Sequence, residues 1–173
     1  MKRLTIVLLS ALVAVISCAE RSSPGTEASS TASEVTPRVD LVEAGIRAVA
    51  QSPKVLFVQT KLCDGEPGDN VCTSTLTDDE VAALSTRLTD LSDDIRFVTG
   101  YEAIPAGQAP IDVPDREFVF VGPPQDRGDG TFWITAGESC GGLCGHGGTY
   151  ILEKRDGTWV STGNAPGTGT WIS

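Results

Sequence analysis

The sequence predicts an α+β domain, with one curled antiparallel sheet, about two helices packed on one face, and a C-terminal part made of β-hairpins. Three observations predict it. Apolar residues recur at helical spacing in two early segments. Short runs rich in β-branched and aromatic residues fill the later half. Glycine turns, among them Asp129-Gly130 and Asp156-Gly157, separate those runs. Early helices followed by hairpins are typical of the α+β class.

The first predicted helix opens at Thr36-Pro37, because threonine caps helices and proline suits the first helical position. Ser52-Pro53 ends it, since a residue before proline is driven out of the helical region. Residues 55–62 then form a predicted strand. The apolar face of the helix consists of Val39, Val42, Ile46 and Val49.

The second predicted helix begins with a capping box, in which Thr77 caps the amide of Glu80 and the Glu80 side chain reaches back. The acidic residues 78–80 suit the positive end of a helix, so we interpret them as capping residues rather than as a metal site. The apolar face of this helix consists of Val81, Leu84, Leu88 and Leu91.

Short strands and aromatic residues dominate the rest of the chain. The predicted strands are 117–121, 131–136, 149–154, 158–161 and 170–172. The aromatic residues expected to supply much of the core are Phe118, Phe120, Phe132, Trp133, Tyr150 and Trp159.

The N-terminus has the features of an export signal. A positive start, Met1-Lys2-Arg3, precedes the apolar residues 4–16, which are too few to cross a bilayer core that needs about 20. The segment ends Val15-Ile16-Ser17-Cys18, which resembles the lipobox of bacterial lipoproteins. That resemblance implies a signal peptide 1–17, cleavage before Cys18, and acylation of its thiol by a lipid such as palmitate. The alternative is an ordinary secretory signal cut after Ala19.

The chain after the signal divides into a tether and a domain. Residues 18–36 comprise the lipidated cysteine and a stretch rich in Ser, Thr, Glu and Ala, whose composition predicts disorder. Residues 37–173 are predicted to form a single extracytoplasmic domain. The expected location is the bacterial cell envelope, with the membrane as a partner through the lipid on Cys18.

The charge of the chain argues against nucleic acid as a partner. There are 23 acidic and 13 basic side chains, and the net charge is −10. Nucleic-acid binding needs clustered lysine and arginine, and the longest basic runs are pairs. No nucleic-acid partner is expected; the sequence does not identify a protein or small-molecule partner.

With Cys18 acylated, four of the five cysteines remain, and export predicts that they form disulfides. Three pairings are possible. We favour local pairing, Cys63 with Cys72 and Cys140 with Cys144, because each pair closes a glycine-containing loop.

The segment from Cys140 to Gly148 raises one metal hypothesis. Cys-x3-Cys followed by His146 resembles the copper centres of cytochrome oxidase subunits and their assembly factors. Those families need further ligands, and His146 is the only histidine here, expected in a loop without a partner. We therefore expect no cofactor and a structural disulfide; a copper site would use Cys140, Cys144 and His146.

The C-terminal stretch 137–173, with CGGLCG, YILEK, DGTW and the final WIS, resembles the ends of uncharacterised bacterial secreted proteins and lipoproteins. That resemblance implies compartment and class, and it carries no activity.

No complete catalytic set is evident in the sequence. There is no Gly-x-Ser-x-Gly motif, and a Ser-His-Asp triad would have to use His146. The leading hypothesis is a non-catalytic envelope lipoprotein with a binding or structural domain. The alternatives are a thiol- or copper-handling protein built on Cys140, Cys144 and His146, and a carboxylate-dependent hydrolase.

Replacing Cys18 by alanine tests the anchor. We expect Cys18→Ala to lose the lipid and to leave the membrane fraction, or to stall as an unprocessed precursor, because alanine lacks the thiol to which the lipid is expected to attach. Fractionation followed by intact mass measures both. A variant that stays with membranes at the wild-type mass would contradict the lipobox interpretation.

Overall fold

The computed structural model describes residues 31–64, 71–142 and 144–172, with side chains from Arg38 onward. In chain order the elements are α1 (Thr31–Val49), β1 (Val55–Gln59), β2 (Lys61–Asp64), β3 (Val71–Thr75), α2 (Asp78–Arg87), β4 (Asp94–Val98), a short 3-10 helix (Tyr101–Ala103), β5 (Arg116–Val121), β6 (Gln125–Asp126), β7 (Phe132–Gly141), β8 (Cys144–Arg155), β9 (Thr158–Asn164) and β10 (Thr170–Ile172). The described chain is therefore mostly β with two α-helices.

Eight strands form one open sheet in the order β10-β8-β7-β5-β1-β4, with β6 paired to β7 and β9 paired to β8. A separate hairpin joins β2 and β3. The expectation of a wholly antiparallel sheet is wrong, because β1 pairs in parallel with both β4 and β5. The reason is topological: the chain leaves the sheet after β1 through the β2–β3 hairpin and α2, and it returns to start β4 in the same direction.

Helix α1 packs on the centre of the sheet and builds the main core. Its predicted apolar face is confirmed, since Val39, Val42, Ile46 and Val49 are all buried. They meet aliphatic side chains of the sheet: Leu56, Val58, Val119, Val121, Ile134, Ala136 and Leu152. Gly45 permits the close approach, because a Cβ there would lie 2.8 Å from Cδ1 of Ile134.

Helix α2 adds Leu84 and Leu88 to the same core. Its predicted capping box is confirmed: the Thr77 hydroxyl accepts from the Glu80 amide at 3.3 Å, and Glu80 accepts from the Thr77 amide at 2.8 Å. The Glu80 carboxylate is buried and also pairs with Arg38 of α1 at 2.9 Å. One side chain thus caps α2 and ties it to α1.

Aromatic side chains occupy the opposite face of the sheet. Phe57, Phe118 and Phe120 are buried there, and Trp171 of β10 stacks on Phe120 with ring centroids 5.8 Å apart. Trp171 lies directly over Gly137, where a Cβ would approach closer than 3.0 Å. Glycine is therefore required at this position for the tryptophan to cover the sheet.

The expected aromatic core is only partly correct. Phe118 and Phe120 are buried, but Phe132, Tyr150 and Trp159 lie at the margin of an otherwise aliphatic core. Trp133 is half-buried, and the guanidinium of Arg127 lies 4.0 Å from its ring centroid.

Several element boundaries also differ from the prediction. The strand expected over 55–62 is two strands, because the backbone of Thr60 bonds to Val98 on one side and to Leu76 on the other and turns the chain out of the sheet. Helix α1 begins at Thr31, so it starts five residues before the predicted Thr36. The later strands lie where they were predicted, but β7 continues past the expected residue 136 to Gly141, and β8 begins at Cys144, five residues before the expected 149. The Asp156-Gly157 turn has positive φ at both residues.

The predicted signal peptide and Cys18 lie outside the described residues, as does the tether up to residue 30. Within the described part of the chain, neither helix has the length and apolarity needed to cross a bilayer.

Removing the cap of α2 should destabilise the domain. Thr77→Ala loses the hydroxyl that accepts from the Glu80 amide, so we expect a fall of about 0.5–2 kcal/mol in the free energy of unfolding, measured by urea denaturation. Thr86→Ala, an exposed position in the same helix, is the matched control and should change stability by no more than about 0.5 kcal/mol. Equal effects of the two substitutions would show that the cap is unimportant.

Candidate functional site

The glycine-rich segment forms the tip of the β7–β8 hairpin. Cys140 and Cys144 are bonded across it with Cα atoms 5.2 Å apart, and Gly141 and Gly142 have positive φ. The ladder is irregular between Ser139 and Gly141, so Cys140 sits in a β-bulge. The disulfide and the glycines together hold a tight turn, as local pairing predicts.

Directly behind this turn, Glu138 of β7 faces His146 of β8. Nδ1 of His146 lies 2.8 Å from Oε1 of Glu138. The carboxyl is only 1% exposed, whereas the His146 side chain is 39% exposed. The expectation that His146 lies in a loop without a partner is wrong, because β8 begins at Cys144 and carries the histidine opposite a glutamate.

The two oxygens of Glu138 have different surroundings. Oε1 also accepts from Nε2 of Gln51 at 3.3 Å and lies 3.6 Å from Sγ of Cys140. A disulfide sulfur carries no hydrogen, so the contact between Sγ of Cys140 and Oε1 of Glu138 is a packing contact. Oε2 is buried and has no hydrogen-bond partner among the described residues. An unsatisfied buried oxygen costs about 1–3 kcal/mol, and more if it is charged, so it marks a position where another ligand would be stabilised.

A second buried carboxyl lies nearby. Glu117 of β5 is 6% exposed and accepts from the backbone N–H of Gln51 at 2.9 Å. Burial raises the pKa of Glu117, the hydrogen bond from Gln51 opposes that change, and the negative charge of Glu138 raises it further. The Glu138 charge also adds to the effect of burial in raising the pKa of Tyr150. The end of α1 thus meets a small acidic centre through Gln51.

An open pocket of about 410 Å³ lies beside the disulfide. Its lining mixes charges of both signs with the two sulfurs: Gln51, Ser52, Pro53, Lys54, Asp115, Arg116, Glu117, Cys140 and Cys144. The bonded cysteines are therefore accessible from a site large enough for a small ligand.

The other predicted disulfide, Cys63–Cys72, is formed as well and joins β2 to β3. It belongs to the separate hairpin and contributes nothing to the pocket lining. Both local pairings are as predicted, while Cys18 lies outside the described residues.

The metal-donor set differs from the one proposed for copper. In the described chain, one carboxylate oxygen of Glu138 and the sulfurs of Cys140 and Cys144 all lie within 4.8 Å of one another. His146 is hydrogen-bonded to Glu138 and is not one of these three donors. After reduction the group would offer two thiolates and one carboxylate.

Sequence reasoning missed Glu138, Glu117 and Gln51. A signal for Glu138 was present: it stands two residues before Cys140, and His146 stands two residues after Cys144. In a hairpin closed by those cysteines, strand alternation puts both side chains on one face and opposite each other.

Searches of protein-family models, of curated proteins and of solved structures find no match to this chain.

The raised pKa of Glu117 predicts a pH-dependent stability. Ionising this buried carboxyl costs more in the folded than in the unfolded chain, so stability falls as pH rises from its ordinary pKa of 4.5 through the raised folded value. We expect Glu117→Gln, whose amide oxygen can still accept from Gln51, to raise the melting temperature at pH 7 and to lose that advantage below about pH 4.5. Melting curves across pH measure this. Glu102→Gln, at an exposed position, is the control, and its effect on the melting temperature should not differ between pH 7 and acid. The prediction is wrong if Glu117→Gln lowers the melting temperature by the same amount at pH 7 and at acidic pH.

Proposed function

We propose that this protein is a lipoprotein of the bacterial cell envelope, held at the membrane by lipid on Cys18. The observation that carries the proposal is the lipobox-like ending of the signal, Val15-Ile16-Ser17-Cys18. The cysteine pairing supports it, because the other four cysteines are used up in two disulfides and disulfides persist in extracytoplasmic compartments.

The role we propose for the domain is binding rather than catalysis. The pocket beside the hairpin tip is the candidate site, and its mixed polar lining suits a small polar or charged ligand. Both cysteines in the lining are bonded to each other, and the carboxyl of Glu117 accepts a hydrogen bond from the chain. Each of these groups is already bonded within the chain, which favours a site that holds a ligand over one whose side chains react with it.

A second candidate is thiol handling at Cys140 and Cys144. It is favoured by one observation, that the disulfide lines the pocket while the Glu138–His146 pair lies against it. A histidine–carboxylate pair can hold or deliver the protons that thiols exchange.

Intact mass of the membrane-extracted protein tests the anchor and the disulfides together. We expect a chain that begins at Cys18 and carries the mass of its acyl groups. Alkylation should add nothing before reduction and should label four cysteines after it, since Cys63, Cys72, Cys140 and Cys144 are the remaining sulfurs. A chain that begins at Glu20 without added lipid would support the ordinary signal instead. Free thiols before reduction would contradict the disulfides.

A further inference from the structure

We propose that the hairpin tip is a redox-controlled binding site for a borderline-soft divalent cation of the Zn²⁺ class, held by Glu138, Cys140 and Cys144. The closed disulfide is its blocked state, and reduction makes the site. The inference rests on the proposed binding role of the hairpin tip and adds a cation site that only the reduced tip offers; it does not depend on the lipid anchor.

The donor geometry supports a metal. One carboxylate oxygen and the two sulfurs lie within 4.8 Å of one another, in a turn whose Gly141 and Gly142 give the backbone freedom to adjust. Ligands around one Zn²⁺ lie about 2.0–2.3 Å from the ion, so these donors need to move by only about 1–2 Å to surround it. The sulfurs must separate from bonding distance, which cleavage of the S–S bond permits.

The buried carboxylate is an independent indication of a ligand. Oε2 of Glu138 is shielded from solvent and has no partner among the described residues, although Oε1 has two donors. His146 is hydrogen-bonded to Oε1, as an outer partner that orients a metal-binding carboxylate would be. Oε1 is the oxygen that lies 3.6 Å from Sγ of Cys140. A cation held by the two thiolates and by both oxygens of this carboxylate would give Oε2 a partner and neutralise much of the buried negative charge.

The donor types favour Zn²⁺ over copper. Two thiolates with one carboxylate suit a borderline-soft divalent ion, whereas Cu⁺ prefers sulfur or imidazole for all of its ligands. Because Cys140 and Cys144 line the pocket, a fourth coordination position would face it and stay open to water or to a small ligand.

The opening step is a two-electron exchange with a dithiol donor. A donor thiolate attacks Sγ of Cys144, the exposed sulfur, the S–S bond breaks, and Cys140 leaves as a thiolate. The second donor thiol resolves the mixed disulfide, so the donor departs as a disulfide and its two protons remain with Cys140 and Cys144. Binding of Zn²⁺ then displaces those two protons from the thiols.

The test uses the full chain in detergent, reduced with a phosphine in the absence of oxygen, and Zn²⁺ alone as the probe. Competition with a chromophoric chelator should give one Zn²⁺ per reduced chain and none per oxidised chain. Cys140→Ser/Cys144→Ser should abolish binding, whereas Cys63→Ser/Cys72→Ser, the matched pair in the other hairpin, should retain it. Glu138→Gln should weaken binding at least about tenfold, and Glu153→Gln on the same hairpin should not.

Alkylation mapping of the wild-type chain locates the ion without any substitution. Zn²⁺ should slow the labelling of Cys140 and Cys144 and leave Cys63 and Cys72 unaffected. Three results would overturn the proposal: no stoichiometric binding by the reduced chain, binding that survives loss of Cys140 and Cys144, or a reduced site that takes Cu⁺ and not Zn²⁺. Cys18→Ala should leave the Zn²⁺ result unchanged, so failure of the anchor and failure of the metal site are separate outcomes.

Discussion

The close seating of α1 on the sheet is the constraint on which the rest of the structure depends. Gly45 lets the helix backbone approach Ile134 and Val121, so the aliphatic face of α1 can interdigitate with the central strands. The same placement fixes where the helix ends. Its last turn stops at Val49, and Gln51 then reaches Glu117 through its backbone and Glu138 through its side chain. The packing that builds the core therefore also positions Gln51, which donates to both buried carboxyls.

The helices and turns could be predicted from the sequence because their signals are local. The capping box at Thr77 and the apolar spacing of both helices involve residues within a few positions of each other. The Asp156-Gly157 turn is equally local, since positive φ at both residues follows from their own chemistry. Each of these features needs no knowledge of the rest of the chain.

The parallel pairings could not be predicted in this way. Residues 55–62 look like one strand, because nothing in their composition reveals that Thr60 bonds to Val98 and Leu76, far along the chain. The position of β1 between β4 and β5 depends on how two long connections return to the sheet. Glu117 was missed for a related reason, because its partner Gln51 lies 66 positions earlier in the chain, just after α1.

The pairing of Glu138 with His146 sets a rule for how this hairpin can change in length. The disulfide fixes the turn, and strand alternation then places on one face the residues two positions outward from each cysteine. An insertion between the cysteines would lengthen the tip and leave that alignment intact. A single residue inserted between Glu138 and Cys140, or between Cys144 and His146, would rotate one partner to the opposite face, beneath Trp171. Length variation in such hairpins should therefore be confined to the tip.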